Sequence, residues 1–215
     1  MNRIEAFTLT DWIPTNCYFL GNEKGAGLLI DPGAEPGRLL TELEKRGLRP
    51  LAIAITHGHF DHIGAVPELL ETLQVPVFIS GKGRLYLENP LWNLSAAAGS
   101  PMALKSPLIR YFDPGTEIVL PGAPELSLAT IPAPGHTADG TVFYSKNDGA
   151  AFVGDTIFRG SVGRTDLPGG SSADLLKTLR QLLSKLPHDT RLFCGHGEPT
   201  TLSRELSALS ELTQS

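Results

Sequence analysis

Four times along this 215-residue chain an apolar run gives way to a histidine or aspartate beside glycine. Residues 51–56 (LAIAIT) run into HGHFDH at 57–62, and residues 126–131 lead to PGH with His136. Residues 151–153 lead to GDT with Asp155, and residues 191–194 lead to GHG with His196. A short apolar run such as LAIAIT reads as a strand buried on both faces. Loops at strand ends are where a rigid scaffold presents reactive groups. Glycine at such a place lets the backbone turn sharply and approach closely. The pattern calls for a sheet-based fold that gathers several strand ends at one place. Five of the six histidines fall within it, and only His188, in LPHD, lies outside.

The rest of the chain agrees. Residues 4–9, 16–20 and 27–30 read as strands, the last ending in the turn Asp31-Pro32-Gly33. Helical spacing covers 38–46 and stops at Gly47; residues 66–73 read as a second helix and 77–80 as a strand. The second half gives strands at 117–120, 126–131, 141–144, 151–153 and 191–194. An amphipathic helix is expected over 173–183, capped by Ser171 or Ser172, and a closing helix over 201–212. Strand-rich halves with interspersed helices predict a layered α/β (α+β) fold. Residues 89–107 are the least regular and read as a helical hairpin or a lid. Within them Leu91, Trp92 and Leu94 fit a substrate-facing lid, a subunit contact or plain core packing.

Length predicts one domain spanning 1–215. The chain is 41% hydrophobic and 19% charged, which marks a globular protein. Its net charge is −5 and no run of Lys and Arg exceeds two residues, which argues against nucleic acid as a partner. Cys17 and Cys194, the two cysteines, lie in apolar strands and read as core residues without a disulfide framework. The N-terminus has no apolar signal-like segment, and no run of 18 apolar residues occurs. A cytoplasmic protein without a membrane partner, monomer or homodimer, is the expectation.

His57, His59, Asp61 and His62 fall within six positions. Neutral imidazole is the commonest metal ligand, and zinc accepts imidazole nitrogen and carboxylate oxygen. Adding His136, Asp155 and His196 gives seven donors. Two four- or five-coordinate cations sharing one carboxylate need about that many, with positions left for water. Imidazole and carboxylate suit zinc, iron and manganese alike.

HGHFDH followed by PGHT, GDT and GHG resembles the metallo-β-lactamase fold superfamily over residues 16–201. The resemblance implies a four-layer αββα sandwich with metals at one edge between the sheets. It implies that His57, His59 and His136 hold one ion, that Asp61, His62 and His196 hold the other, and that Asp155 bridges them. Asp61 and Asp155 become the catalytic carboxylates, with Asp61 orienting the nucleophile. The β-lactamases of the superfamily usually carry Cys or Ser in place of His62, or Cys in place of Asp155, so this chain departs from them at the site. Residues 154–170, GDTIFRGSVGRTDLPGG, are instead similar to short bacterial hydrolases of the glyoxalase II type. Arg164 then matches a basic residue that grips the glutathione carboxylate. Nineteen residues follow His196, too few for a separate C-terminal helical substrate domain. The implied reaction is hydrolysis of a small-molecule thioester, such as S-lactoylglutathione, by water activated between two divalent cations, zinc first, with iron or manganese also fitting. Two alternatives stay open. One is a persulfide dioxygenase with a single iron on His57, His136 and Asp155, a group that shares GRTD. The other is a different hydrolase on the same fold, a lactonase or phosphodiesterase.

Overall fold

The computed structural model describes residues 2–214. The chain begins as an antiparallel meander of β1 (Arg3–Leu9), β2 (Thr15–Gly21) and β3 (Ala26–Ile30). Helix α1 (Pro36–Lys45) carries it across to β4 (Arg49–Ala54), parallel to β3. A short turn of helix, α2 (Phe60–Ile63), and helix α3 (Val66–Leu73) lead to β5 (Val77–Ser80), again parallel. Helix α4 (Gly83–Glu88) and an irregular stretch precede β6 (Ile109–Phe112). Parallel neighbours need such crossovers, whereas the antiparallel ones need only turns. These six strands form one sheet in chain order.

The second sheet is built from β7 (Glu117–Leu120), β8 (Ala123–Pro132), β9 (Thr141–Ser145) and β10 (Ala150–Gly154). A two-stranded ribbon follows, β11 (Ile157–Phe158) with β12 (Ser161–Val162). Helix α5 (Ser172–Lys185) returns the chain to β13 (Arg191–Cys194), which lies parallel to β10; β14 (Thr200–Thr201) and helix α6 (Leu202–Gln214) close the order. Ser171 caps α5, its hydroxyl accepting from the Asp174 amide at 3.2 Å, which matches one of the two caps expected.

Side-chain alternation shows why the sheets stack. On β2, Tyr18 and Leu20 enter the core between the sheets, while Cys17 and Phe19 enter the core beneath α1 and α3. On β10, Ala150 and Phe152 face the first sheet, while Ala151 and Val153 face α5 and α6. Period-two strands with both faces covered give helix, sheet, sheet, helix. The expected four-layer αββα sandwich is therefore present. Phe152 anchors the central layer, stacked on Phe193 at 5.2 Å and tilted on Tyr18 at 5.6 Å. Phe152→Ala is expected to cost about 3–5 kcal/mol of stability. Urea unfolding measures this; a loss below about 1 kcal/mol contradicts the packing described.

Residues 89–107 hold no helix and no strand, so of the two readings, helical hairpin or lid, the hairpin is not formed. Asn89-Pro90 ends α4, and the segment is pinned by a buried asparagine instead. The Asn93 amide donates to the carbonyls of Tyr86 and Met102, both at 3.0 Å, and its oxygen accepts from Ser95 N. Its own carbonyl accepts from Phe60 N at 2.9 Å, so this loop buttresses the HGHFDH motif. Among the described residues no helix is long and apolar enough to cross a membrane.

Candidate metal centre

All seven donors named from the sequence meet at one edge of the sandwich. The end of β4 and α2 supply His57, His59, Asp61 and His62; β8, β10 and β13 run into His136, Asp155 and His196. His59 Nδ1 lies 3.2 Å from His57 Nε2 and 3.0 Å from His136 Nε2. In a second group, Asp61 Oδ2 lies 3.3 Å from His196 Nε2 and 3.6 Å from His62 Nε2. Asp155 touches both groups. Its Oδ1 is 3.4 Å from His62 Nε2, and its Oδ2 is 3.5 Å from His136 Nε2 and 3.3 Å from His196 Nε2. All are buried but His196, whose side chain is 27% exposed. His188 stays apart; its backbone carbonyl accepts from Ser203 N in α6.

Two glycines explain how strand ends come so close. A Cβ at Gly195 would sit 2.2 Å from Asp155 Oδ1 and 2.6 Å from His62 Cε1. At Gly154 the backbone takes φ +50°, and a Cβ would sit 2.4 Å from Thr56 Oγ1. Any side chain at either position would push the two sheets' contributions apart.

The outer ring nitrogens settle which way the inner ones face. His136 Nδ1 donates to the Arg164 carbonyl and His196 Nδ1 to the Pro14 carbonyl, both at 2.8 Å. His62 Nδ1 donates to Asp31 Oδ2 at 2.9 Å. Thr56 Oγ1 donates to Asp31 Oδ2 at 2.6 Å and so accepts from His57 Nδ1 at 3.2 Å. Four imidazoles thus turn Nε2 towards the same small volume. Ligating histidines are commonly fixed this way by an outer hydrogen bond. His62 Nε2 and Asp155 Oδ1 are buried without a hydrogen-bond partner. Donors aimed at one another, with nothing between to accept them, fit divalent cations. The cluster, imidazole and carboxylate on this fold, suits two metal ions.

Charge balance adds a measurable consequence. Burial, together with neighbouring His62 and His59, holds His57 well below the usual imidazole range, and burial with His136 beside it brings His59 down to about 3. Burial opposes charging of His62 and His196 as well, but carboxylates win there. Asp61, Asp155 and Asp31 raise His62 well above its ordinary value, and Asp155 and Asp61 push His196 up to about 10. A group with a raised pKa keeps its proton below that value, so an incoming cation must displace it. Metal uptake at pH 8 is therefore expected to release protons, and affinity to climb as pH rises towards about 10. Titration in a weakly buffered indicator solution reads the release; uptake without proton release contradicts this electrostatic picture.

Sequence reasoning passed over Asp31. Asp-Pro-Gly reads as a turn, yet the Asp31 carboxylate accepts from Thr56 N at 2.7 Å, from Thr56 Oγ1 and from His62 Nδ1. It adopts φ +52°, uncommon outside glycine, to bring that carboxylate beneath the motif. The signal was available, because residues 27–33 (GLLIDPG) repeat the same strand, acid and glycine order. Thr15 Oγ1, 3.2 Å from Asp61 Oδ2, and the Pro14 carbonyl had no such signal.

Arg164 enters the centre through its backbone. Its guanidinium is exposed and bonds Asp166 through Nε at 2.7 Å and through Nη2 at 2.6 Å. Both cysteines are buried, and burial pushes the Cys17 thiol far up and the Cys194 thiol up to about 12, away from the thiolate form.

A family profile described as the metallo-beta-lactamase superfamily matches residues 10–196. Among curated proteins the chain is 33% identical over 193 residues to the "Probable metallo-hydrolase YqgX" of Bacillus subtilis (strain 168), covering 90% of each chain. It is 31% identical over 191 residues to the "Hydroxyacylglutathione hydrolase GloC" of Haemophilus influenzae, covering 88% of this chain and 89% of that one. Among solved structures, the BLEG-1 B3 metallo-beta-lactamase superposes with a TM-score of 0.91 at 33% identity, covering 98% of this chain and 100% of that one. TTHA1623 in a di-iron-bound form superposes with a TM-score of 0.82 at 37% identity, covering 94% and 96%. The chain belongs to the metallo-β-lactamase superfamily. Within it, the protein is an enzyme of the metallo-hydrolase kind.

Proposed function

We propose that the protein hydrolyses thioesters at a pair of divalent cations, zinc in the first instance. The observation that carries this reading is Asp155, one carboxylate facing two separate groups of inward-pointing donors. His57, His59 and His136 would hold one cation; Asp61, His62 and His196 would hold the other; Asp155 would face both. When bound, such a pair supplies Lewis acidity and lowers the pKa of water. Iron is the competing metal, since a similar protein was crystallised with two irons. The likeness to a hydroxyacylglutathione hydrolase supports the thioester as substrate.

The chain's own groups have distinct parts. Asp61, fixed by Thr15 and His196, orients the attacking water. The oxygen of that water bonds the acyl carbon and gives up a proton, the carbon–sulfur bond breaks, and the sulfur leaves as a thiol carrying that proton, with the acid as the other product. Tautomers locked by Pro14, Asp31 and Arg164 keep the imidazoles from rotating during the reaction. The Arg164 guanidinium, exchanging Asp166 for a substrate carboxylate, binds the anionic end. Arg164→Ala is expected to raise KM for S-lactoylglutathione several-fold more than it lowers kcat. An unchanged KM leaves Arg164 a loop staple only.

Elemental analysis paired with S-lactoylglutathione hydrolysis tests the whole reading. Two metals per chain and turnover support it. Oxygen uptake with glutathione persulfide, one iron per chain and no thioester turnover would replace it with the dioxygenase. Nitrocefin belongs in the same panel, because the similar BLEG-1 protein is a B3 metallo-beta-lactamase by name.

A further inference from the structure

Beside the metal centre lies a second concavity that the reaction as described leaves unused. Its volume is about 700 Å³, within the range of small-molecule sites. Partly exposed Trp92 gives it an aromatic wall, backed by the buried Tyr86 ring, with ring centroids 5.4 Å apart at 90°. Leu85, nearly half exposed, also lines it. The same Tyr86 ring stands edge-on to His59 at 6.0 Å, so one buried side chain separates the cavity from the centre. It is held rigidly: Tyr86 Oη accepts from Ala138 N at 2.9 Å and donates to the Pro168 carbonyl at 3.2 Å. Gly169 seats its loop against the same wall, where a Cβ would come within 2.0 Å of Tyr86 Oη and 2.9 Å of Trp92 Cζ3. That loop also carries Arg164.

Charge narrows what fits. Lys82 and Arg84 line the cavity together with Glu88. Lys105 already engages Glu88 at 3.1 Å, and Arg84 stands 3.6 Å from it while stacking over Tyr111 at 4.3 Å. Two cations against one carboxylate leave the rim locally positive beside the aromatic wall, on a chain whose net charge is −5. Apolar surface with a few placed charges recognises a flat or branched hydrophobic group that ends in an anion.

We infer that this cavity binds the part of the substrate remote from the reacting carbonyl, an aromatic or branched apolar group bearing a terminal carboxylate. The inference rests on the thioester reading and adds a substrate class to it. Trp92 and Leu85 grip the apolar portion, and Lys82 and Arg84 meet the carboxylate.

The probes are N-acetylcysteamine thioesters of acetate, 4-phenylbutanoate and 4-(4-carboxyphenyl)butanoate, assayed with metal-loaded protein. Leu85→Asp, at an exposed position, and Trp92→Ala are each expected to lower the preference for the phenylbutanoyl over the acetyl thioester by about tenfold in kcat/KM. Lys82→Glu is expected to lower the preference for the carboxylated over the plain aryl ester by up to about fivefold. A second readout needs no turnover. In a Trp12→Phe background, Trp92 fluorescence should change saturably with 4-phenylbutyrate, and Leu85→Asp should abolish the change. Saturable binding with no thioester hydrolysed keeps the cavity and sinks the thioester reading. Hydrolysis with unaltered preferences and no saturable signal keeps that reading and overturns the cavity.

Discussion

Asp155→Asn is expected to leave the protein folded, with one cation lost and the hydrolytic rate down by more than about 10²-fold. The bound follows from outer hydrogen-bond partners, whose loss alone costs 10–100-fold in metal affinity or activity; a direct donor to both groups must cost more. The substitution keeps the shape and removes the charge. Burial pushes the Asp155 carboxyl up, but His62 and His196 overcome it and hold the group ionised, well below the usual carboxylate range. Removing that charge leaves His62, fully buried, with less to balance it. Circular dichroism checks folding, elemental analysis counts metal, and S-lactoylglutathione reads the rate. Two cations retained at full rate would falsify the bridging role.

Asp31→Ala comes next in size. One buried carboxylate serves the Thr56 amide, the Thr56 hydroxyl and His62 Nδ1. Truncation strands all three where water does not reach. Each orphaned group costs about 1–3 kcal/mol, and freeing the His62 ring should weaken metal binding by roughly 10–100-fold. Asp31→Asn separates the two effects, because its amide oxygen still accepts from Thr56 while the charge on His62 is gone. Stability recovered without metal affinity is the expected pattern for Asn. Competition with a chromophoric chelator measures the affinity; wild-type affinity in Asp31→Ala refutes the supporting role.

The centre was the most legible part of the chain because its chemistry is local. HGHFDH packs four donors into one loop, and glycines mark the strand ends that bring the other three. Long apolar strands were equally plain. The short elements leave little trace: β6 spans four residues and β14 two, each completed by a neighbouring strand, and α4 spans six beginning with glycine, too few for periodicity to register. α2 lies inside the motif itself, where four donor-rich residues look like loop. Asp31 escaped because Asp-Pro-Gly is also a strong turn, and one explanation hid the other.

Donors 57 to 62 hang from the first sheet, while 136, 155 and 196 hang from the second. Cations seated between them would act as rivets along the seam of two sheets made by the front and back of the chain. Chelation should let those sheets slide, so heat tolerance and protease resistance would track free metal concentration rather than belonging to the polypeptide alone.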